Sequence, residues 1–305
     1  MSIIEKAIIK LDLNKNSATE DNGVQESGAQ QTAQSFVSEA ASPITNVDTI
    51  ASIAEQSEPT NSKRVEFDLK KLVQLGMVSP DTDRSSISEE FRRIKRPLLD
   101  KIFKDSNGVD HRNLIMVTSS LPGEGKTFCS VNLAISIALE LDHTVLLVDA
   151  DMARSSIGRY LKSTTEEAEN KAGLMDILLD KDLDLSDVLL RTNIDKLTLL
   201  RSGRHHKHAT ELLASQSMSL FLDEIATRYP DRVIIFDAPP LLLSTEARVL
   251  ASKMGQIALV VEAGTTTQNA LKDLLSQLKS TSNVSLIYNK APTYEGTGFY
   301  GDYYG

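Results

Sequence analysis

A strand that breaks into a glycine-bounded turn ending in Lys-Thr narrows the folds open to this chain more than any other stretch. Residues 114–127 read Leu-Ile-Met-Val-Thr-Ser-Ser-Leu-Pro-Gly-Glu-Gly-Lys-Thr, and Val131-Asn-Leu-Ala-Ile-Ser-Ile-Ala-Leu follows with a helical pattern. Strand, turn and helix in that order make a phosphate cradle. Turn amides point inward, the helix N-terminus is positive, and a lysine at the end of the turn reaches the β and γ oxygens of a nucleotide. Pro122, Gly123, Glu124, Gly125, Lys126, Thr127 and Phe128 are the candidate phosphate-binding segment, with Lys126 on the phosphates and the Thr127 hydroxyl on Mg2+. The general pattern has Gly where Ser120 stands, so this loop is a variant form.

From residue 113 onward the pattern of strand, turn and helix repeats. Leu114–Val117, Val145–Val148, Leu197–Leu200, Val233–Phe236, Ile257–Val261 and Val284–Tyr288 are short apolar runs separated by helical segments. Continuous apolar strands alternating with helices predict an α/β fold, a doubly wound and mostly parallel sheet covered on both faces. Ligands of such sheets sit at the carboxyl ends of the strands. Two more motifs fall there. Asp149-Ala-Asp151-Met-Ala-Arg154 follows one strand and Asp237-Ala-Pro-Pro240 follows another. A carboxylate after one strand is commonly a helix cap. Three of them beside a phosphate loop instead predict phosphate chemistry, in which a metal bridges the phosphates and a base orients the nucleophile. Asp237 is placed to hold Mg2+, Asp149 and Asp151 to share metal contact and base duty, and Arg154 to face phosphate or substrate. Asn289, after the last strand, is read either as a contact to the nucleotide base or as a cap on the strand end.

Ahead of this region, residues 1–64 read as a short amphipathic helix at 3–13 followed by a Ser-, Thr- and Gln-rich linker with too little apolar surface to fold. Residues 65–112 form a helical lead-in, 113–292 the nucleotide-binding domain, and 293–305 a tail. Ser86-Ile-Ser-Glu89 offers a capping box for a helix with Ile87, Phe91, Ile94 and Leu98 on one face. Pro97 is expected to kink or end that helix. Its other face carries Glu89, Glu90, Arg92, Arg93, Lys95 and Arg96. Tyr288 is expected in the core, and His205, His206 and His208 in a solvated loop without a defined metal site.

A net charge of −9 argues against a broad nucleic-acid surface. The N-terminus lacks the continuous apolar core of a secretory signal, so a cytoplasmic location is expected. One cysteine, Cys129, leaves no internal disulfide and reads as a small buried residue.

The phosphate loop Pro-Gly-Glu-Gly-Lys-Thr, the Asp149-Ala-Asp151 pair, Asp237-Ala-Pro-Pro240 and a C-terminal tyrosine cluster resemble, in that order, the bacterial tyrosine kinases of capsule and exopolysaccharide loci. More narrowly, Asp149-Ala-Asp-Met-Ala-Arg154 and Ala209-Thr-Glu-Leu-Leu-Ala-Ser215 look like the branch found with exosortase-linked loci. The resemblance implies a protein-tyrosine autokinase using ATP and Mg2+, regulating exopolysaccharide polymerisation and export. It also implies phosphorylation in trans of Tyr294, Tyr300, Tyr303 and Tyr304, four of the seven tyrosines. A ring-like homo-oligomer would form through Glu-x-x-Arg-x-x-Arg. Glu90, Arg93 and Arg96 fit that motif by letter, while Glu89, Arg92 and Lys95 fit the position of Phe91 better. The implied partner is a transmembrane chain-length regulator that holds the kinase at the inner membrane. Two alternatives stand beside this reading, a partitioning-type ATPase and an ATP-sensing scaffold. The partitioning ATPases have a lysine where Leu121 stands, which argues against the first.

Overall fold

The computed structural model describes residues 64–82, 85–104, 111–162, 172–180, 182–228, 231–278 and 283–292. The expected N-terminal helix, linker and tyrosine tail lie outside them. In chain order the elements are α1 (Leu69–Gln74), α2 (Ser86–Phe103), β1 (Leu114–Ser119), α3 (Lys126–Ala138), β2 (Thr144–Asp149), α4 (Leu174–Leu179), α5 (Leu185–Val188), β3 (Leu190–Arg191), β4 (Leu197–Leu200), α6 (Ala209–Ala214), α7 (Gln216–Arg228), β5 (Arg232–Asp237), α8 (Thr245–Ala251), β6 (Gln256–Glu262), α9 (Gln268–Gln277) and β7 (Val284–Asn289). A short 3-10 turn spans Ile157–Tyr160.

The strands form one sheet in the order β3-β4-β2-β5-β1-β6-β7. Every pairing is parallel except that of the two-residue β3 with β4. The central strands are apolar along their whole length because helices cover both faces. On β1, Ile115 and Val117 join a core with α2 and α3, while Leu114 and Met116 join the opposite core with α4, α7 and α8. This is the doubly wound architecture that the apolar runs predict. Among the described residues no helix is long and apolar enough to cross a membrane.

The lead-in packs onto this sheet. Phe67 is fully buried in the same core as Ile135 and Val145, and Asn193 brackets it by accepting from its amide at 2.8 Å and donating to its carbonyl at 3.1 Å. The α2 cap lies one residue ahead of the expected box: the Ser85 hydroxyl accepts from the Ser88 amide at 3.3 Å. Pro97 neither ends α2 nor limits it, since the helix runs on to Phe103. Leu98, Leu99 and Ile102 are buried beyond the proline, and that burial, at roughly 1.5–3 kcal/mol per side chain, outweighs the lost backbone bond. Tyr288 departs from expectation as well, for it is 64% exposed. β7 is an edge strand, and only Ile287 of its central apolar residues is buried there.

The charged face of α2 separates into two registers. Lys95 is buried, pairs with Glu140 at 2.9 Å and donates to the Ser136 carbonyl, so it belongs to the α2–α3 contact. Burial, opposed by Glu140, lowers its pKa. Glu90, Arg93 and Arg96 are exposed, while Glu89 and Arg92 pair with each other on the surface.

Candidate active site

Adjacency in the sheet assembles the site. β2, β5 and β1 are neighbours, Asp149 lies in register with Asp237, and the Ala238 amide donates to the Val117 carbonyl at 3.0 Å. The two carboxylate motifs and the phosphate loop therefore leave the same edge of the sheet side by side.

The loop is held by its own residues. Gly125 caps α3 with φ of 97°, a conformation that glycine reaches without strain. A Cβ at that position would lie 2.1 Å from Nδ2 of Asn289, which donates to the Glu124 carbonyl at 2.8 Å. Asn289 thus braces the loop from behind. The Glu124 side chain is buried, accepts from the Leu121 amide at 2.9 Å and takes a short bond from the Thr266 hydroxyl, so its carboxylate is a strut and not a phosphate contact. Phe128 is half-buried and meets Phe91 edge to face at 6.4 Å. Ser120 is fully buried. Replacing Gly125 with alanine is expected to strain the backbone by about 1–2 kcal/mol and to dislodge Asn289. An ATP analogue titrated against the variant should bind about ten-fold more weakly. Unchanged affinity would show that the loop tolerates another conformation.

Lys126 Nζ donates to Asp151 Oδ2 at 2.6 Å, and Asp151 Oδ1 accepts from the Arg154 amide at 3.0 Å. Asp149 lies behind this pair, accepting from the Ser155 hydroxyl at 2.6 Å and from the Asp151 amide at 3.3 Å. Burial first, then the charge of Asp237, push the Asp149 carboxyl up to about 7. Asp237 is fully buried, and Oδ1 accepts from Ser130 at 3.0 Å. Burial raises its pKa too, against the charge of Lys126 and hydroxyl bonds from Thr127 and Ser130. Cys129 beside them is inert, its thiol pushed up to about 12 by burial and the charge of Asp237.

Asp237 Oδ2 is buried with no hydrogen-bond partner among the described residues, and the Thr127 hydroxyl reaches the same carboxylate. An open carboxylate oxygen next to a hydroxyl fits the ligand set of a Mg2+ that takes its remaining oxygens from phosphates and water. No three His, Cys, Asp or Glu side chains among the described residues gather into a preformed metal cage. His205, His206 and His208 stand in the expected loop.

In front of the loop opens a cavity of about 1020 Å³, lined in part by Lys126, Thr127, Asp151 and Arg154. Four supports escaped sequence reasoning. Ser130 sits one helical turn after Lys126 and bonds its carbonyl at 2.9 Å, a spacing visible in the sequence. Thr266 and Ser155 carry no local signal. Asp176 does, standing three residues after Gly173 at a helix start, where a carboxylate folds back on the cap amide.

A family model described as an AAA domain matches residues 112–289. The tyrosine-protein kinase CpsD of Streptococcus pneumoniae is 32% identical over 200 residues, covering 64% of this chain and 85% of that protein. The tyrosine-protein kinase YwqD of Bacillus subtilis is 29% identical over 235 residues, or 75% of this chain and 92% of that protein. Among solved structures, the chimerical protein CapA2B2 superposes with a TM-score of 0.60 at 23% identity, covering 76% of this chain and 95% of that one, a likeness of fold.

Proposed function

The chain belongs to the bacterial tyrosine-protein kinase family, and from that premise we propose that it is an ATP- and Mg2+-dependent autokinase whose acceptors are tyrosines of its own C-terminal tail. The observation that carries this reading is the convergence of Lys126, Thr127, Asp151 and Asp237 at the ends of three adjacent strands.

In this reading the loop amides and Lys126 hold the β- and γ-phosphates once the nucleotide draws Lys126 away from Asp151. Thr127, Asp237 and Asp149 would hold Mg2+, which when bound would supply positive charge against the phosphates. Asp151 lines the cavity and is the carboxylate that takes the tyrosine proton, with Asp149 behind it. An unperturbed tyrosine, with a pKa of about 10, needs such a base. The phenolic oxygen bonds to the γ-phosphorus, the bond from that phosphorus to the β–γ bridging oxygen breaks, and ADP leaves. Phosphotyrosine is the product.

Tyr294, Tyr300, Tyr303 and Tyr304 are the proposed acceptors, spaced by Gly296, Gly298 and Gly301. Transfer in trans follows if Glu90, Arg93 and Arg96 join neighbouring copies in a ring, and their exposure on α2 supports that face over the register containing buried Lys95. By family resemblance the process is control of exopolysaccharide export, and the partner a membrane chain-length regulator that recruits the kinase from the cytoplasmic side.

Incubation with labelled ATP and Mg2+, with and without the cytoplasmic segment of such a regulator, followed by mapping of the modified residues, tests this. Label is expected on the four tail tyrosines. Changing all four to phenylalanine should remove at least nine-tenths of it while nucleotide binding stays intact. Release of free phosphate with no label on tyrosine would instead favour a partitioning-type ATPase, whose lysine is absent where Leu121 stands 41% exposed.

A further inference from the structure

The cavity extends well past the phosphate loop. Its wall includes Arg159, His205, His206 and Lys207, none of which belongs to the phosphate loop or to the carboxylate motifs. At about 1020 Å³ it stands at the upper end of the range of small-ligand sites, roughly 300–1,000 Å³. A nucleotide held at the loop leaves the far wall for a second occupant.

That wall is built in place. Asp176 is buried and holds three groups at once: the Gly173 amide at 2.9 Å, the Arg204 amide at 3.1 Å and Arg204 Nε at 2.6 Å. Burial pushes the Asp176 carboxyl up, and the bonds from Arg204 and Gly173 outweigh it, holding the group below its usual range. Gly203 has φ of 85° and lies so close that a Cβ would stand 2.4 Å from Asp176 Oδ2. The root of the segment 205–208 is therefore fixed, and His205 and Lys207 project from it, exposed. Arg159, which lines the same cavity, is exposed as well. Glu246, also on the wall, is occupied by hydroxyl bonds from Thr210 at 2.6 Å and Ser244 at 2.8 Å. Those bonds favour the ionised form of Glu246, but against it and Asp151 the lining sets Lys126, Arg154, Arg159 and Lys207, so the net charge offered to an incoming ligand is positive.

We infer that Arg159, His205, His206 and Lys207 form an acceptor-binding wall that selects tyrosines flanked by acidic residues. The inference rests on the kinase reading and adds the chemical class of its peptide substrate. The tail has matching charge: Glu295 follows Tyr294, Asp302 precedes Tyr303, and residues 294–305 contain no Lys or Arg. Ion pairs at such a partly solvated wall are worth up to about 1 kcal/mol each. They tune the affinity for peptide and leave the chemical step to the carboxylates. Asp176 is a positioning residue for this wall.

The test compares two peptides in trans, one with the sequence of residues 294–305 and one in which Glu295→Gln and Asp302→Asn remove its charge. The enzyme is the full chain carrying phenylalanine at its own four tail tyrosines. The acidic peptide is expected to show the lower KM. Arg159→Glu with Lys207→Glu should raise that KM about ten-fold, change the neutral peptide's KM less than two-fold, and leave kcat and the affinity for an ATP analogue within about two-fold. Asp176→Asn should raise the same KM at unchanged kcat. Equal KM values for the two peptides in the parent enzyme would overturn the wall. So would a charge-reversal variant that loses nucleotide affinity in place of peptide affinity, because these cations would then belong to the ATP site. If neither peptide is phosphorylated while the analogue binds, the kinase reading itself fails.

Discussion

Lys126→Met is expected to lower tyrosine phosphorylation by at least about a thousand-fold, the scale seen when a charged group facing a transferring phosphate is removed. A second loss accompanies the first. Lys126 is paired with Asp151 at 2.6 Å, and its charge opposes the rise in the Asp237 pKa. Asp149, Asp151 and Asp237 are all nearly or fully buried. Removing the cation leaves them to desolvation and mutual repulsion, a change that costs about 3–5 kcal/mol when one partner of a buried pair is lost. The nucleotide-free variant should therefore melt lower than the wild type, and more so at pH 8 than at pH 5, because burial raises the carboxyls of Asp149 and Asp237 and favours their protonated forms as the pH falls. Lys126→Arg separates the two effects. It keeps a positive charge for the carboxylates but replaces the compact ammonium with a planar fork, so stability should return while transfer stays low. A Lys126→Met protein that melts like the wild type would show that the ion pair contributes little to the fold.

The sequence is most legible where burial is complete. β1, β2 and β5 are apolar on both faces, and their ends carry the phosphate loop and the aspartates, so fold and site can be read from one pattern. Edges are harder. Leu286, Ile287 and Tyr288 are as apolar as any central run, but β7 has a neighbour on one side only, and nothing local in the sequence reveals that. The two registers of charge on α2 fit a helix equally well. Only the Ser136 carbonyl near the end of α3 and Glu140 just beyond it show that Lys95 points inward. Two consecutive serines, Ser85 and Ser86, both suit a cap, and a one-residue error follows. The bracing of the site is tertiary in the same sense. Thr266 reaches Glu124 from 142 residues away, beyond any motif.

Asp149→Asn is expected to make the nucleotide-free protein more stable at neutral and alkaline pH while impairing catalysis. The folded-state pKa of Asp149 is raised to about 7 from an ordinary 3.8. A carboxyl raised on folding contributes stability that is fully present below its unfolded pKa and is lost as pH climbs through its folded one. Between about pH 4 and pH 7 the folded protein keeps a proton that the unfolded chain has released. Stability therefore falls with rising pH, by at most about 1.4 kcal/mol per pH unit. Asparagine cannot ionise, so the variant lacks this slope. In urea melts without Mg2+ or nucleotide it should match the wild type near pH 4 and exceed it by roughly 2–4 kcal/mol at pH 8. Parallel pH profiles for the two proteins would mean that Asp149 titrates normally and is better solvated than its position at the end of β2 suggests. A cation bound among these carboxylates reverses the balance, because it favours the ionised form that burial penalises. Mg2+ with an ATP analogue should thus stabilise the wild type more than the variant. Burial makes the charges of Asp149 and Asp237 costly in the empty fold, and that cost is what a bound cation would relieve.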